Sequence, residues 1–215
     1  MKLSDFKKDV SLVPHTSFRV GGKTRYFFCA KSKDKLIEAV KLAKENKLPF
    51  YIISGGSNVI APDSGFAGLV IQVHNSSFAI NELKIRAEAG VLVSRLVKEA
   101  AEAGLSGLEW AAGIPGRVGG AVYGNAQAFG ENIGRVVAEV EYFDARDLKI
   151  KRSIRAQCRF SEKNSLFKNN KDLIILKVLI KLKKGDRNKI NQRIKEILNI
   201  RRSRQPLEYP SAGSF

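Results

Sequence analysis

The chain has 215 residues, 44% of them hydrophobic, enough to bury a sizeable core in one large domain or two modest ones. Its two cysteines, Cys29 and Cys158, lie far apart with no Cys/His ligand spacing, which argues against a disulfide framework and a zinc site, and no metal is expected. The formal charge of +17 is concentrated, because residues 146–206 hold 20 Lys and Arg against 5 Asp and Glu.

No window approaches the roughly 20 apolar residues of a membrane span. The start of the chain, with Lys2, Lys7 and Lys8 among its first eight residues, has no continuous apolar run of a signal peptide. A cytoplasmic protein without a membrane partner is therefore expected. A concentrated positive field attracts polyanions, so nucleic-acid binding is one reading of the basic segment. The charges interleave with apolar periodicity and no aromatic-interleaved binding motif accompanies them, so they read better as a solvated face, and no nucleic-acid partner is expected.

In chain order, Thr16 to Gly22 reads as a strand-like stretch broken by a double glycine, followed by the apolar run from Tyr26 to Ala30. A helix follows: Ser32 or Asp34 can cap it, Leu36, Ala39, Val40 and Ala43 recur at helical spacing, and Pro49 enforces a stop. Phe50 to Ile53 is a short continuous apolar run of the kind expected for a strand buried on both faces, and the βαβ-like start predicts parallel pairing. Shorter strands are expected over residues 69–73, 78–80 and 83–87. A second helix over 91–103 places Leu92, Leu96, Val97 and Ala100 on one side.

The segment from Gly107 to Gly130 is rich in glycine and should be broken repeatedly by turns, with the character of a binding loop. Strands are expected over 136–143, 148–154 and 173–182. A final helix over 186–204 carries Ile190, Ile194, Ile197 and Leu198 on one stripe and Lys and Arg elsewhere.

Two segments carry chemistry. Ser54, Gly55, Gly56, Ser57 and Asn58 form a small-residue turn leaving an apolar strand; glycines let a backbone approach an anion, and successive N–H groups can converge on a pyrophosphate. A tight turn between strands requires the same residues, and neither a Walker loop nor a GxGxxG is present. The second is the run from Gly107 to Ala126, whose small residues bury little surface of their own. A flat cofactor is a natural occupant, and a simple connection is the alternative.

Four motifs appear in order: Thr16-x-Phe18-Arg19-x-Gly21-Gly22; Gly55-Gly56-Ser57-Asn58; Gly107-Leu108-Glu109 leading to Gly113-Ile114-Pro115-Gly116-x-x-Gly119-Gly120-Ala121-Val122-Tyr123; and Gln205-Pro206-Leu207-Glu208-Tyr209-Pro210-Ser211-x-Gly213-Ser214. Over essentially its whole length the chain resembles the shorter form of the UDP-N-acetylenolpyruvoylglucosamine reductase family. The resemblance implies an α+β, two-lobed FAD-binding fold of the vanillyl-alcohol-oxidase type. Its subdomains would cover residues 1–73 and 74–204, and a tail, 205–215, would lead into a substrate domain that this chain lacks.

It also implies the site. Residues 54–58 would hold the FAD pyrophosphate. Gly113, Ile114, Pro115 and Gly116, with Gly119, Gly120, Ala121 and Val122, would line the flavin and adenine. Binding would be non-covalent, since neither His15 nor His74 lies in these loops. NADPH would donate hydride to the flavin, which would reduce the enolpyruvyl group of a UDP-sugar substrate. Ser214 would be the proton donor, Lys163 the enolate stabiliser, and Arg204 and Asn125 substrate contacts. A monomer is expected.

The sequence departs from the family pattern in places. Glu162-Lys163 stands where a Tyr-Arg pair is expected, and Lys keeps the charge but loses the planar bidentate fork. Arg117, Gly124, Gln127 and Phe129 replace a small hydroxylic residue, Met, Gly and Tyr. The chain ends one residue after Ser214, so that hydroxyl is expected on a free terminus. A catalytically degenerate FAD-binding module is the alternative reading.

Overall fold

A computed structural model describes residues 1–205 and 208–213. In chain order the main elements are β1 (Lys7–Ser11), β2 (Lys23–Ala30), α1 (Lys33–Glu45), β3 (Phe50–Ile53), β4 (Phe66–Val73), β5 (Phe78–Asn81), β6 (Lys84–Glu88), α2 (Val93–Glu102), α3 (Val118–Tyr123), β7 (Val137–Asp144), β8 (Lys149–Ile154), β9 (Leu173–Lys181) and α4 (Arg187–Arg204). They build two principal sheets, one ordered β1-β2-β4-β3 and the other β8-β7-β9-β6-β5. The first draws its strands from the first third of the chain; every strand of the second comes from beyond it.

Local sequence explains the helices. Ser32 caps α1 by accepting a hydrogen bond from Lys35 N at 3.2 Å, and Leu36, Ala39, Val40 and Ala43 are all buried on the expected stripe. Asp186 caps α4 in the same way, accepting from Asn188 N at 2.7 Å and Lys189 N at 3.1 Å. Its Ile190 and Ile197 are buried, and three arginines in its last turn suit the negative end of the helix dipole.

The parallel pairing expected from the βαβ-like start is present, with β4 between its partners. Tyr26 of β2 is in register with Leu69 of β4, and Ile53 of β3 with Gln72. The longer and more apolar β4 takes the central place, burying Leu69, Val70, Ile71 and Val73. That displaces β3 to the edge and corrects its expected burial on both faces: Tyr51 is 43% exposed.

Three other expectations are corrected. Residues 16–22 form turns instead of a strand, with Arg19 and Gly21 both at positive φ. Leu92 sits in extended backbone just before α2 and is 45% exposed, so the buried stripe of that helix is Val93, Leu96, Val97, Ala100 and Ala101. Within the glycine-rich segment, residues 118–123 form a true helical turn and a half.

A continuous core joins α1 (Leu36, Val40), β4 (Leu69, Ile71), α2 (Leu96), β9 (Leu176, Ile180) and α4 (Ile197). The opposite face of the first sheet holds a smaller cluster of Leu12, Phe27, Ile53, Ala61 and Val70. Because β2, β3 and β4 run parallel, all three end on one edge, and the loop after β3 leaves from it. Among the described residues no helix is long and apolar enough to cross a membrane.

Leu96→Ala should cost about 2–5 kcal/mol in urea denaturation. Leu92→Ala should stay within about 0.5 kcal/mol, because its side chain loses little burial.

Candidate active site

The loop of residues 54–58 leaves β3 at that edge and meets the loop of residues 113–116 backbone to backbone. A Cβ placed on Gly55 would lie 2.8 Å from Gly116 Cα, and one on Gly116 (φ +106°) would lie 2.7 Å from Ser57 Oγ. Ser57 Oγ donates to Pro115 O at 3.3 Å across the seam. Gly56 is in the left-handed region (φ +63°), and a Cβ there would collide with His15 O. The N–H groups of Gly55, Gly56, Ser57 and Asn58 donate to no acceptor among the described residues. A run of amides unspent among the described residues, on glycine-permissive backbone, suits an anion.

The helix α3 continues this floor. Val118 N donates to Val91 O and Gly119 N to Ala89 O, each at 2.8 Å, which pins the start of the helix to the segment before α2. A Cβ on Gly119 would lie 2.8 Å from Ala89 Cβ, so this glycine serves close packing. Val122 is fully buried in the core. Of the glycine-rich residues singled out in the sequence, Gly55, Asn58, Gly113, Pro115 and Gly120 present exposed surface, while Gly56, Gly119 and Val122 stand behind it. Ile114 and Ala121 are half-buried.

At the far end of α3, about 9 Å along the axis, lies the segment carrying Lys163. Asn125, buried and at φ +45°, accepts from Gly134 N at 3.0 Å and donates to Ser161 O at 2.7 Å. Ser165 Oγ donates to Tyr123 O at 2.7 Å. Both bonds hold the 159–165 segment against the end of α3. Asn125 is thus occupied by protein partners, whereas Lys163 and Glu162 are exposed. Burial pushes the Tyr123 hydroxyl's pKa above its ordinary value.

The last turn of α4 approaches the floor through Arg201, a residue the sequence reading did not select. Arg201 Nε donates to Ala112 O at 2.8 Å, its guanidinium lies 5.3 Å from the Phe129 ring centre, and its Cδ occupies the space a Cβ on Gly113 would need. Burial lowers its pKa, and Nη2 has no partner among the described residues. Arg204 is exposed. The signal was available, since 190, 194, 197 and 201 continue one helical stripe.

Residues 211–213 dock on the same region. Ser17 Oγ donates to Ser211 O at 2.7 Å, Ala212 is buried, and Gly213 (φ +106°) lies beside Asn58. Ser17 N in turn donates to Gly56 O at 3.1 Å. Ser214 lies outside the described residues.

Residues 24–150 match a family model described as an FAD binding domain. The chain is 42% identical over 213 residues to the UDP-N-acetylenolpyruvoylglucosamine reductase of Caldicellulosiruptor bescii, covering 98% of this chain and 67% of that protein. This chain belongs to the UDP-N-acetylenolpyruvoylglucosamine reductase family. A second reductase, from Clostridium botulinum strain Alaska E43, is 36% identical over 214 residues, 99% of this chain and 70% of that protein. The solved reductase from Thermus caldophilus superposes with a TM-score of 0.82 at 29% identity, over 97% of this chain and 73% of that one. This reductase-family chain therefore spans about two thirds of the length of the curated relatives it matches.

A cholesterol oxidase variant from Brevibacterium sterolicum shares the fold alone, with a TM-score of 0.63 at 14% identity over 83% of this chain and 38% of that one. The architecture is accordingly the two-lobed FAD-binding fold of the vanillyl-alcohol-oxidase type, and the family's members are FAD-dependent oxidoreductases. The glycine floor fits such a cofactor, with the amides of residues 55–58 unspent among the described residues beside Gly116 and Gly120, which carry no side chain of their own.

Asn125→Ala should destabilise the protein by about 1–3 kcal/mol in urea denaturation, because Gly134 N and Ser161 O lose their partner. Lys163→Ala, at an exposed position, should stay within about 0.5 kcal/mol.

Proposed function

We propose that this chain binds FAD non-covalently and serves the NADPH-dependent reduction of the enolpyruvyl group of UDP-N-acetylenolpyruvoylglucosamine. The product is UDP-N-acetylmuramate for peptidoglycan synthesis in the cytoplasm. The observation that carries this reading is the backbone seam between Gly55 and Gly116 with its unspent amides, in a chain of this family. We take residues 1–73 and 74–204 as the two FAD-binding subdomains and 205–215 as the segment leading onward.

FAD, when bound, would supply two-electron chemistry, with NADPH as hydride donor and the substrate double bond as acceptor. The chain's residues do the remaining work. The amides of residues 55–58, with the Ser54, Ser57 and Asn58 side chains, hold the pyrophosphate. Gly113, Ile114, Pro115, Gly116, Gly120 and Ala121 provide the surface for the flavin and adenine; Gly119 and Val122 set the position of that surface from behind. Hydride addition leaves a carbanion on the substrate, delocalised into its carboxylate. Lys163 offers an ammonium to that charge, and Ser214 a proton. Residues 211–213, docked on Ser17 and Asn58, bring the end of the described chain to the floor. Arg204 meets the substrate's diphosphate, and Asn125 acts on the substrate side by holding the Lys163 segment.

The Glu162-Lys163 departure favours a second reading, a flavin module without turnover. A polyanion-binding role draws less support, because part of the basic segment is internally paired. Arg146 and Lys151 share Asp144, and Arg152 reaches Glu141.

An absorbance spectrum after FAD addition and gel filtration tests the cofactor reading. Retained flavin, released by acid precipitation, is expected; folded protein that never retains FAD sinks it. Gly55→Ala should weaken FAD binding about tenfold or more, because its Cβ forces the two loops apart. Coupled oxidation of NADPH with substrate then separates the enzyme from the silent module. In the enzyme, Lys163→Ala should lower kcat by about tenfold to a hundredfold, with Lys163→Arg retaining activity.

A further inference from the structure

One buried polar group beside the glycine floor has no role in the reading above. His74 and Asn75 follow β4 at the edge where the parallel strands end, and Asn75 is 1% exposed. Gly90 packs against them so closely that a Cβ there would collide with Asn75 O. Arg117, next in sequence to the Gly116 of the seam, donates from Nη1 to Gly90 O at 2.6 Å and places Nη2 3.5 Å from His74 Nδ1.

The hydrogen-bond inventory of this group does not close. Since Arg117 is donor only, His74 Nδ1 must be its acceptor, which leaves the imidazole proton on Nε2. That Nε2, Arg117 Nε and both polar atoms of the Asn75 amide are buried without partners among the described residues. No carboxylate among the described residues pairs with Arg117. Burial lowers the pKa of both Arg117 and His74, and His74 is further opposed by Arg117, His15 and Lys31. Leaving several buried polar atoms unmatched costs about 1–3 kcal/mol for each, so one cluster containing four is poorly explained by stability. Its free atoms are mostly donors, its charge is positive, and Arg117 directly follows Gly116, which lies against Gly55 and Ser57. It is built to receive an oxygen-rich anion.

We propose that Arg117, supported by His74 and Asn75, is an added phosphate-binding element of the flavin site that takes the phosphates of FAD alongside the 55–58 amides. This rests on the FAD reading above and deepens it. Arg117 also stands where the family resemblance leads one to expect a small hydroxylic residue, so the element is a feature of this chain. A guanidinium there would set the affinity for the dinucleotide and leave recognition of the isoalloxazine ring to the rest of the floor.

The test uses the full 215-residue chain, titrated with FAD and with riboflavin, which has no phosphate, by flavin fluorescence at several salt concentrations. For Arg117→Ser, FAD should bind about tenfold or more weakly, riboflavin should be unchanged within about twofold, and FAD affinity should depend less steeply on salt. Arg117→Lys should recover part of the loss.

Equal FAD affinity in wild type and Arg117→Ser overturns the proposal. A parallel loss of FAD and riboflavin does so as well, because it marks a packing role. Wild-type protein that binds no FAD at all overturns the underlying flavin reading, and this inference with it.

Discussion

The seam between Gly55 and Gly116 is the contact on which the site depends. At that point a loop from the first sheet meets a loop from the second half of the chain, Gly55 against the backbone of Gly116 and Ser57 Oγ against Pro115 O, and a side chain on Gly55 would hold them apart. Close backbone approach leaves amides with nothing nearby to accept from them, and such groups in a groove are stable only against water or a ligand. The surrounding structure keeps the two loops in place. The edge of parallel strands anchors one; Val118 and Gly119, bonded to Val91 and Ala89, anchor the other. Residues 211–213 close over the outer side through Ser17 and Asn58.

Charge is distributed around this seam in two ways. Some of the basic surface is held in exposed ion pairs such as Arg193 with Glu196, which contribute little to stability. Arg117 and Arg201 are different. Both are drawn inward, both lose basicity through burial, and both keep a guanidinium nitrogen without a partner among the described residues. Desolvated cations without acids are costly in a folded protein, and their placement on either side of Gly113 to Gly116 is intelligible if the floor receives an anionic molecule.

Reading the sequence worked where a local rule coincided with the tertiary demand. The Ser32 cap and the stripe of α1 follow from spacing, as does the apolar stripe of α4, and the order of glycine motifs pointed to the two loops that the fold brings together. It failed where neighbours decide. Leu92 fits a helical period, yet the chain is still extended there and the side chain faces solvent. Phe50 to Ile53 looks like a buried strand because apolar runs carry no record of strand order, and β4 takes the centre. Arg201 was passed over for Arg204 because both are basic residues in one turn, and only the packing of α4 against Ala112 distinguishes them.

By itself the sequence determined the helices, the strands with strong alternation, the family to which the chain belongs and the identity of the two glycine loops. These depend on interactions within a few residues, or on a linear order of motifs. Only the tertiary structure decided that Gly55 and Gly116 touch, that Gly119 and Val122 work from behind the surface, and that Asn125 holds a loop. It also decided that Arg117 reaches Gly90 and His74, and that His74, Asn75 and Arg117 each keep a buried polar atom without a partner among the described residues. Those facts require residues tens of positions apart to meet, and hydrogen-bond satisfaction is a property of the meeting place rather than of any one residue.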